Sequence, residues 1–112
     1  MAIPHAKPAE IIDVSALGSN LKSAQTTTLV KTDSLEVIRL VLPAGKEVKP
    51  HEVPGEITVQ CLEGKVAFRA GDSECELTAA KLIYLAGSDA HSLRAIDDAS
   101  LLITILLKHK TS

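Results

Sequence analysis

Aromatic side chains are nearly absent from this 112-residue chain: Phe68 and Tyr84 stand alone, and there is no tryptophan. Base stacking therefore has no platform. Charge of one sign is missing too, since 12 Lys and Arg offset 14 Asp and Glu, for a net charge of −2, with the two signs interspersed. Phosphate neutralisation has no footprint, and nucleic acid is not an expected partner. The longest apolar run, 101–107, is broken by Thr104 and falls far short of the roughly 20 residues a membrane helix needs. The opening MAIPHAKPAE lacks the apolar stretch of a secretory signal. Cysteine is scarce, and Cys61 and Cys75 form no Cys-x-x-Cys pair, so reduced thiols are expected. These absences lead to a soluble cytoplasmic protein with neither a membrane nor a nucleic acid as partner.

A convincing helical period is missing as well, apart from room for one short turn within 13–23. What is present is alternation. Runs at 25–31 and 34–42 are rich in β-branched and aliphatic residues around a Thr-Asp turn, and read as a hairpin. Residues 65–70 set Val66, Phe68 and Ala70 against Lys65 and Arg69, and Gly71-Asp72 turns the chain into 73–78, with Cys75 and Leu77 inward. Further strands are expected at 57–62, 81–85, 91–96 and 100–107, with a short one at 10–14. Nine or ten short strands punctuated by turns imply an all-β sandwich or barrel. The length suits a single core. A proline-bearing arm, 1–9, precedes the domain at 10–107, and a polar tail, 108–112, follows it. The run 34–42 is apolar on both faces, Ile38, Leu40 and Leu42 on one and Val37 and Val41 on the other, which points to a second layer or a homodimer packed sheet to sheet.

Two stretches carry the candidate chemistry. The first, 45–64, reads GKEVKPHEVPGEITVQCLEG and sets His51 just ahead of a Pro-Gly turn and a β-rich run. The second, 85–95, reads LAGSDAHSLRA and follows a turn with His91. Two strand-start histidines separated by one hairpin suggest one shared pocket. His5 in the arm and His109 in the tail lack the rigid setting a ligand needs. Cys61 has no adjacent base and reads as a buried thiol.

At these stretches the chain resembles the small single-domain, RmlC-like cupins. Their first motif runs Gly, five residues, His-x-His, three or four residues, Glu, six residues, Gly; here Gly45, His51 and Gly64 match. Their second runs Gly, five residues, Pro-x-Gly, two residues, His; here Gly87 and His91 match with one extra residue between them, Leu85 replaces the proline, and Ala80 lies near the first glycine. The resemblance covers roughly 36–107. It implies a cupin-type double-stranded β-helix, or jelly-roll barrel, with few or no helices. It also implies a divalent transition metal (iron, manganese, nickel or zinc) held at His51 and His91. Val53 stands where the second histidine of the first motif belongs, and Ile57 where its carboxylate belongs, with Glu56 one residue early.

Two registers follow for this strand. A bulge at Pro54-Gly55 would turn Glu56, Thr58 and Gln60 inward and add Glu56 and Gln60 to the ligand set. The alternation of Ile57, Val59 and Cys61 instead places those three inside. The expected pocket lining is Val53, Ile57, Val59, Cys61, Phe68 and Leu93. Two functions remain open. One is an enzyme acting on a small organic metabolite through the metal, in dioxygenase- or isomerase-like chemistry. The other is a metal-free module that binds or senses a small ligand.

Overall fold

β-branched and leucine-rich runs become strands here wherever a turn residue lets them reverse. The computed structural model describes residues 5–51, 55–87 and 90–107, with 50 and 51 as backbone only. Among these, nine strands form: β1 (Thr27–Lys31), β2 (Leu35–Leu42), β3 (Glu47–His51), β4 (Ile57–Glu63), β5 (Lys65–Ala70), β6 (Ser73–Thr78), β7 (Leu82–Leu85), β8 (His91–Ala95) and β9 (Ala99–Leu106). A 3-10 helix, Gly18–Ser23, is the helical turn allowed for at 13–23. No helix among the described residues is long and apolar enough to cross a membrane.

The strands pair antiparallel in two sheets, one ordered β1-β2-β9-β4-β7 and the other β3-β8-β5-β6. The facing sides of the two sheets enclose the core, in which Val59, Cys61, Val66, Phe68, Ala95 and Leu101 are almost wholly shielded from solvent. This is the all-β, two-sheet barrel expected from the alternation, with Ile57, Val59 and Cys61 on the inner face of β4.

The turns explain how the barrel closes. Gly64 joins β4 to β5 at φ +88°, a conformation that favours glycine, and a Cβ there would stand 2.2 Å from the Asp98 carbonyl oxygen. The β4–β5 turn thus packs directly on the β8–β9 turn. Ala80, beside the position matched to the second motif's first glycine, takes φ +74°, the same left-handed region.

Four local expectations are corrected. Residues 10–14 form no strand. They belong to an N-terminal strap that leaves β1 at Ala6, whose N–H donates to Leu29 O (2.8 Å), and crosses to Arg39, whose Nη2 donates to the carbonyls of Val14 and Ser15 (both 2.6 Å). β3 is a strand that Pro50 concealed: a proline has no N–H to donate, and is tolerated here because β3 is an edge strand. His51 consequently ends a strand rather than starting one, while His91 does start β8. Cys75 is exposed, because β6 is also an edge and its first four residues extend beyond the core.

Candidate functional site

β4 and β5 run away from each other on either side of Gly64, so Ile57 at the start of β4 and Ala70 at the end of β5 lie at the end of the barrel remote from that turn. His91 pairs with Ala70, and His51 pairs with His91 across the β3–β8 ladder. The structure therefore sets the two sequence-identified histidines directly opposite each other. Between Val48 and His51 the ladder shifts, with three residues of β3 spanning two of β8. That is a β-bulge over Lys49 and Pro50, the device by which a strand re-aims a residue beside a site.

His91 is buried, at 4% exposure. Its ring stacks on Phe68, centroids 5.9 Å apart and planes within 8°. The register explains the contact: Phe68 pairs with Leu93, two residues along β8, so the rings are diagonal neighbours on one face. Leu93 is buried beside them, and Ile57 and Leu85 are buried on the opposite sheet. Half-buried Val48, Ala70, Ile83, Ile103 and Ile105 pack against this core. Along β9 burial is complete at Ala99, Ser100 and Leu101 and then relaxes through Ile103 and Ile105. The barrel is thus closed at the Gly64 end and more open at the histidine end.

The other candidates sit elsewhere. Glu56 is exposed and accepts a hydrogen bond from the Tyr84 hydroxyl. Gln60 is half-buried and pairs with Leu82 and Leu102 on the outer face of the five-stranded sheet. The one-residue slip that would turn both inward does not occur, because Ile57 and Val59 hold the inner register. Val53 lies outside the described residues. Cys61 is fully buried at the closed end, where burial pushes its thiol above the ordinary cysteine range and its Sγ lies 3.4 Å from the Glu63 carbonyl. It is a protonated core thiol. Among the described residues no group of three or more His, Cys, Asp or Glu side chains could share a metal ion.

Sequence reasoning missed a polar cluster at the closed end. Glu63, the last residue of β4, accepts from the backbone N–H of Leu17 (2.9 Å) and Gly18 (3.1 Å) and from the Ser100 hydroxyl (2.6 Å). Burial raises its pKa, but those donors and the nearby Arg39 charge outweigh it and hold the carboxyl below the usual glutamate range. The partners lie 37 to 46 residues away, so no local pattern announces them.

Two surface grooves lack comparable chemistry. One of about 490 Å³ runs between the 3-10 helix and β2, and its Asp98 is already engaged by the Ala44 N–H. Another of about 290 Å³ crosses the outer face of the four-stranded sheet, where Lys49, Arg69 and Arg94 are offset by Glu47 and Glu74.

No family model matches the chain, and no curated protein matches it. Solved structures do. A conserved protein of unknown function from Streptococcus pyogenes is 19% identical with a TM-score of 0.75, covering 98% of this chain and 97% of its own. A cupin superfamily protein from Desulfitobacterium hafniense is 16% identical with a TM-score of 0.72, over 74% of this chain and 76% of that one. A protein from Thermotoga maritima described as a predicted oxalate decarboxylase is 21% identical with a TM-score of 0.67, over 74% and 79%. The fold is that of a small cupin barrel, as the motif resemblance implied.

Proposed function

We propose that the barrel binds a small organic acid, or a similar weakly polar metabolite, at its histidine end. The observation that carries this reading is the backbone pairing of residue 51 with His91, whose own side chain is buried against an apolar core. Small-ligand sites combine an aliphatic wall with a few convergent polar groups, and imidazoles can donate to a carboxylate. Ile57, Ile105 and Leu93 supply the wall, and Phe68 fixes the His91 ring by stacking.

A divalent iron, manganese, nickel or zinc centre is the second reading, favoured by the same cross-strand histidines. Catalytic centres of this kind use three or four protein donors. Among the described residues the donor set stops at the two histidine positions, with Glu56 and Gln60 on the other side of β4. The fit is therefore incomplete. Were a metal bound, His51 and His91 would hold it and it would supply Lewis acidity for dioxygenase- or isomerase-like chemistry.

Thermal unfolding of chelator-treated protein against a panel of C3–C8 aliphatic and hydroxy carboxylates tests the first reading. A binder at 100 times its Kd stabilises by about 2.7 kcal/mol, and the gain should vanish in His91→Gln. The opposing result is a chain insensitive to the panel whose untreated form carries about one transition metal per molecule, lost in the His51→Ala/His91→Ala double variant. That outcome would replace ligand binding with the metal centre.

A further inference from the structure

The groove between the 3-10 helix and β2 has an apolar floor and opposite charges on its two flanks. Leu21 and Leu42 are buried beneath it, Val41 and Pro43 continue the floor, and its volume of about 490 Å³ is that of a small-molecule site. Topology sets the flanks apart, because β2 lies between β1 and β9. The chain entering β1 runs beside the end of β2, where the Val41 N–H donates to Thr26 Oγ1 (3.0 Å), and this brings Lys22 and Ala24 to one side. On the other side Leu42 pairs with Ala99, the residue after Asp98. The flanks thus stand two strand spacings apart, roughly 10 Å. Among the described residues neither Lys22 nor Asp98 forms an ion pair. Both flanks are fixed. Glu63 holds the N–H groups of Leu17 and Gly18 and so anchors the start of the helix. Asp98 is half-buried and accepts from the Ala44 N–H through Oδ1 (2.8 Å), which orients the carboxylate and leaves Oδ2 without a partner among the described residues.

We propose that this groove binds a linear ω-amino carboxylate, with its ammonium on Asp98, its methylene chain along Val41 and Leu42, and its carboxylate on Lys22. The order of the groups decides the class. An α-amino acid carries both charges on one carbon, whereas here an apolar floor separates them. A fatty acid would lay a hydrocarbon end against the half-buried Asp98 carboxylate, and an alkylamine would leave Lys22 unused. A chain of about five to seven carbons with opposite charges at its ends meets all three features, and each end gains a charge-assisted hydrogen bond. The Asp98 turn packs on Gly64, so the groove belongs to the closed end of the barrel. It is remote from His51 and His91 and independent of the ligand reading above.

Amide shifts of the isotope-labelled full chain, titrated with 6-aminohexanoate, test it, with hexanoate and hexylamine as single-charge controls. The expected result is saturable shifts centred on residues 21–24, 41–44 and 98, and binding of the zwitterion about tenfold tighter than of either control. Asp98→Asn keeps an oxygen for the Ala44 N–H and so preserves the turn, and Lys22→Gln alters an exposed residue. Circular dichroism verifies that both variants fold. Each should weaken 6-aminohexanoate binding about tenfold, while His91→Gln leaves it unchanged. Absence of saturable shifts up to about 20 mM probe, an affinity near the weakest of interest, overturns the proposal. So does equal affinity for 6-aminohexanoate and hexanoate, or binding indifferent to both Asp98→Asn and Lys22→Gln. Shifts that vanish in His91→Gln would assign the probe to the histidine end and overturn it as well.

Discussion

Glu63 holds three donors that come from two distant parts of the chain, and Arg39 holds two acceptors from one of them. Residues 14–18 are therefore tied to the barrel by ionic hydrogen bonds more than by packing. The pH dependence follows from the depressed Glu63 pKa. A carboxylate held below its unfolded value adds stability that is fully present above the unfolded pKa, near 4.5, and is lost as pH falls through the folded one. Acid denaturation of the wild type should steepen below about pH 4.5, and Glu63→Gln should be less stable at pH 7 with a flatter acid limb. Equal limbs in the two proteins would show that the carboxylate charge is not what secures the strap. Gly64, next in sequence, gives a steric counterpart. Gly64→Ala combines a positive φ with a Cβ 2.2 Å from a backbone oxygen, so urea titration should show a loss of at least about 2 kcal/mol.

Strands were legible wherever one face alternated cleanly. β4 and β5 follow the alternation of their apolar residues because a single register buries Ile57, Val59 and Cys61 or Val66 and Phe68, and a slip of one would expose all of them. Alternation does not reveal whether a strand is central or at an edge, and Cys75 was misplaced for that reason. It pairs with the fully buried Phe68 yet remains exposed, since no strand lies beyond β6. The two thiols should therefore separate by element. Ellman's reagent on native protein is expected to titrate one thiol within minutes, removed by Cys75→Ser, and the second only in denaturant. Rapid reaction of both would contradict the burial of Cys61. β3 was lost to Pro50, although Glu-Val-Lys ahead of it alternates; the rule that prolines sit on edge strands was the available signal. The strap was unreadable, because its partners are separated from it by at least 23 residues.

Across the whole molecule the candidate site was half legible. His51 and His91 were identified from spacing, and the ladder pairs them; Ile57, Val59, Phe68 and Leu93, expected to line a pocket, are buried in the core. The bulge that brings residue 51 opposite residue 91 depends on how an edge strand accommodates a proline, and sequence alone leaves that count of residues open. The result is a barrel with unequal ends. At the closed end, two turns pack backbone to backbone, Cys61, Val66 and Leu101 are shielded, and Glu63 adds its polar ties. At the histidine end, Ala70, Ile103 and Ile105 keep partial access to solvent and a bulge interrupts the ladder. Local opening is easier where fewer buried contacts must be broken. Amide hydrogen exchange should therefore be slowest around residues 59–66 and 99–101, governed by global unfolding, and faster by orders of magnitude around 69–70, 91–92 and 105–106. A carboxylate seated between His51 and His91 should slow exchange in the second group and leave the first unchanged apart from the global gain in stability. Uniform protection from end to end would mean that the barrel opens only as a whole, and a ligand would then have to enter a site that unfolds to admit it.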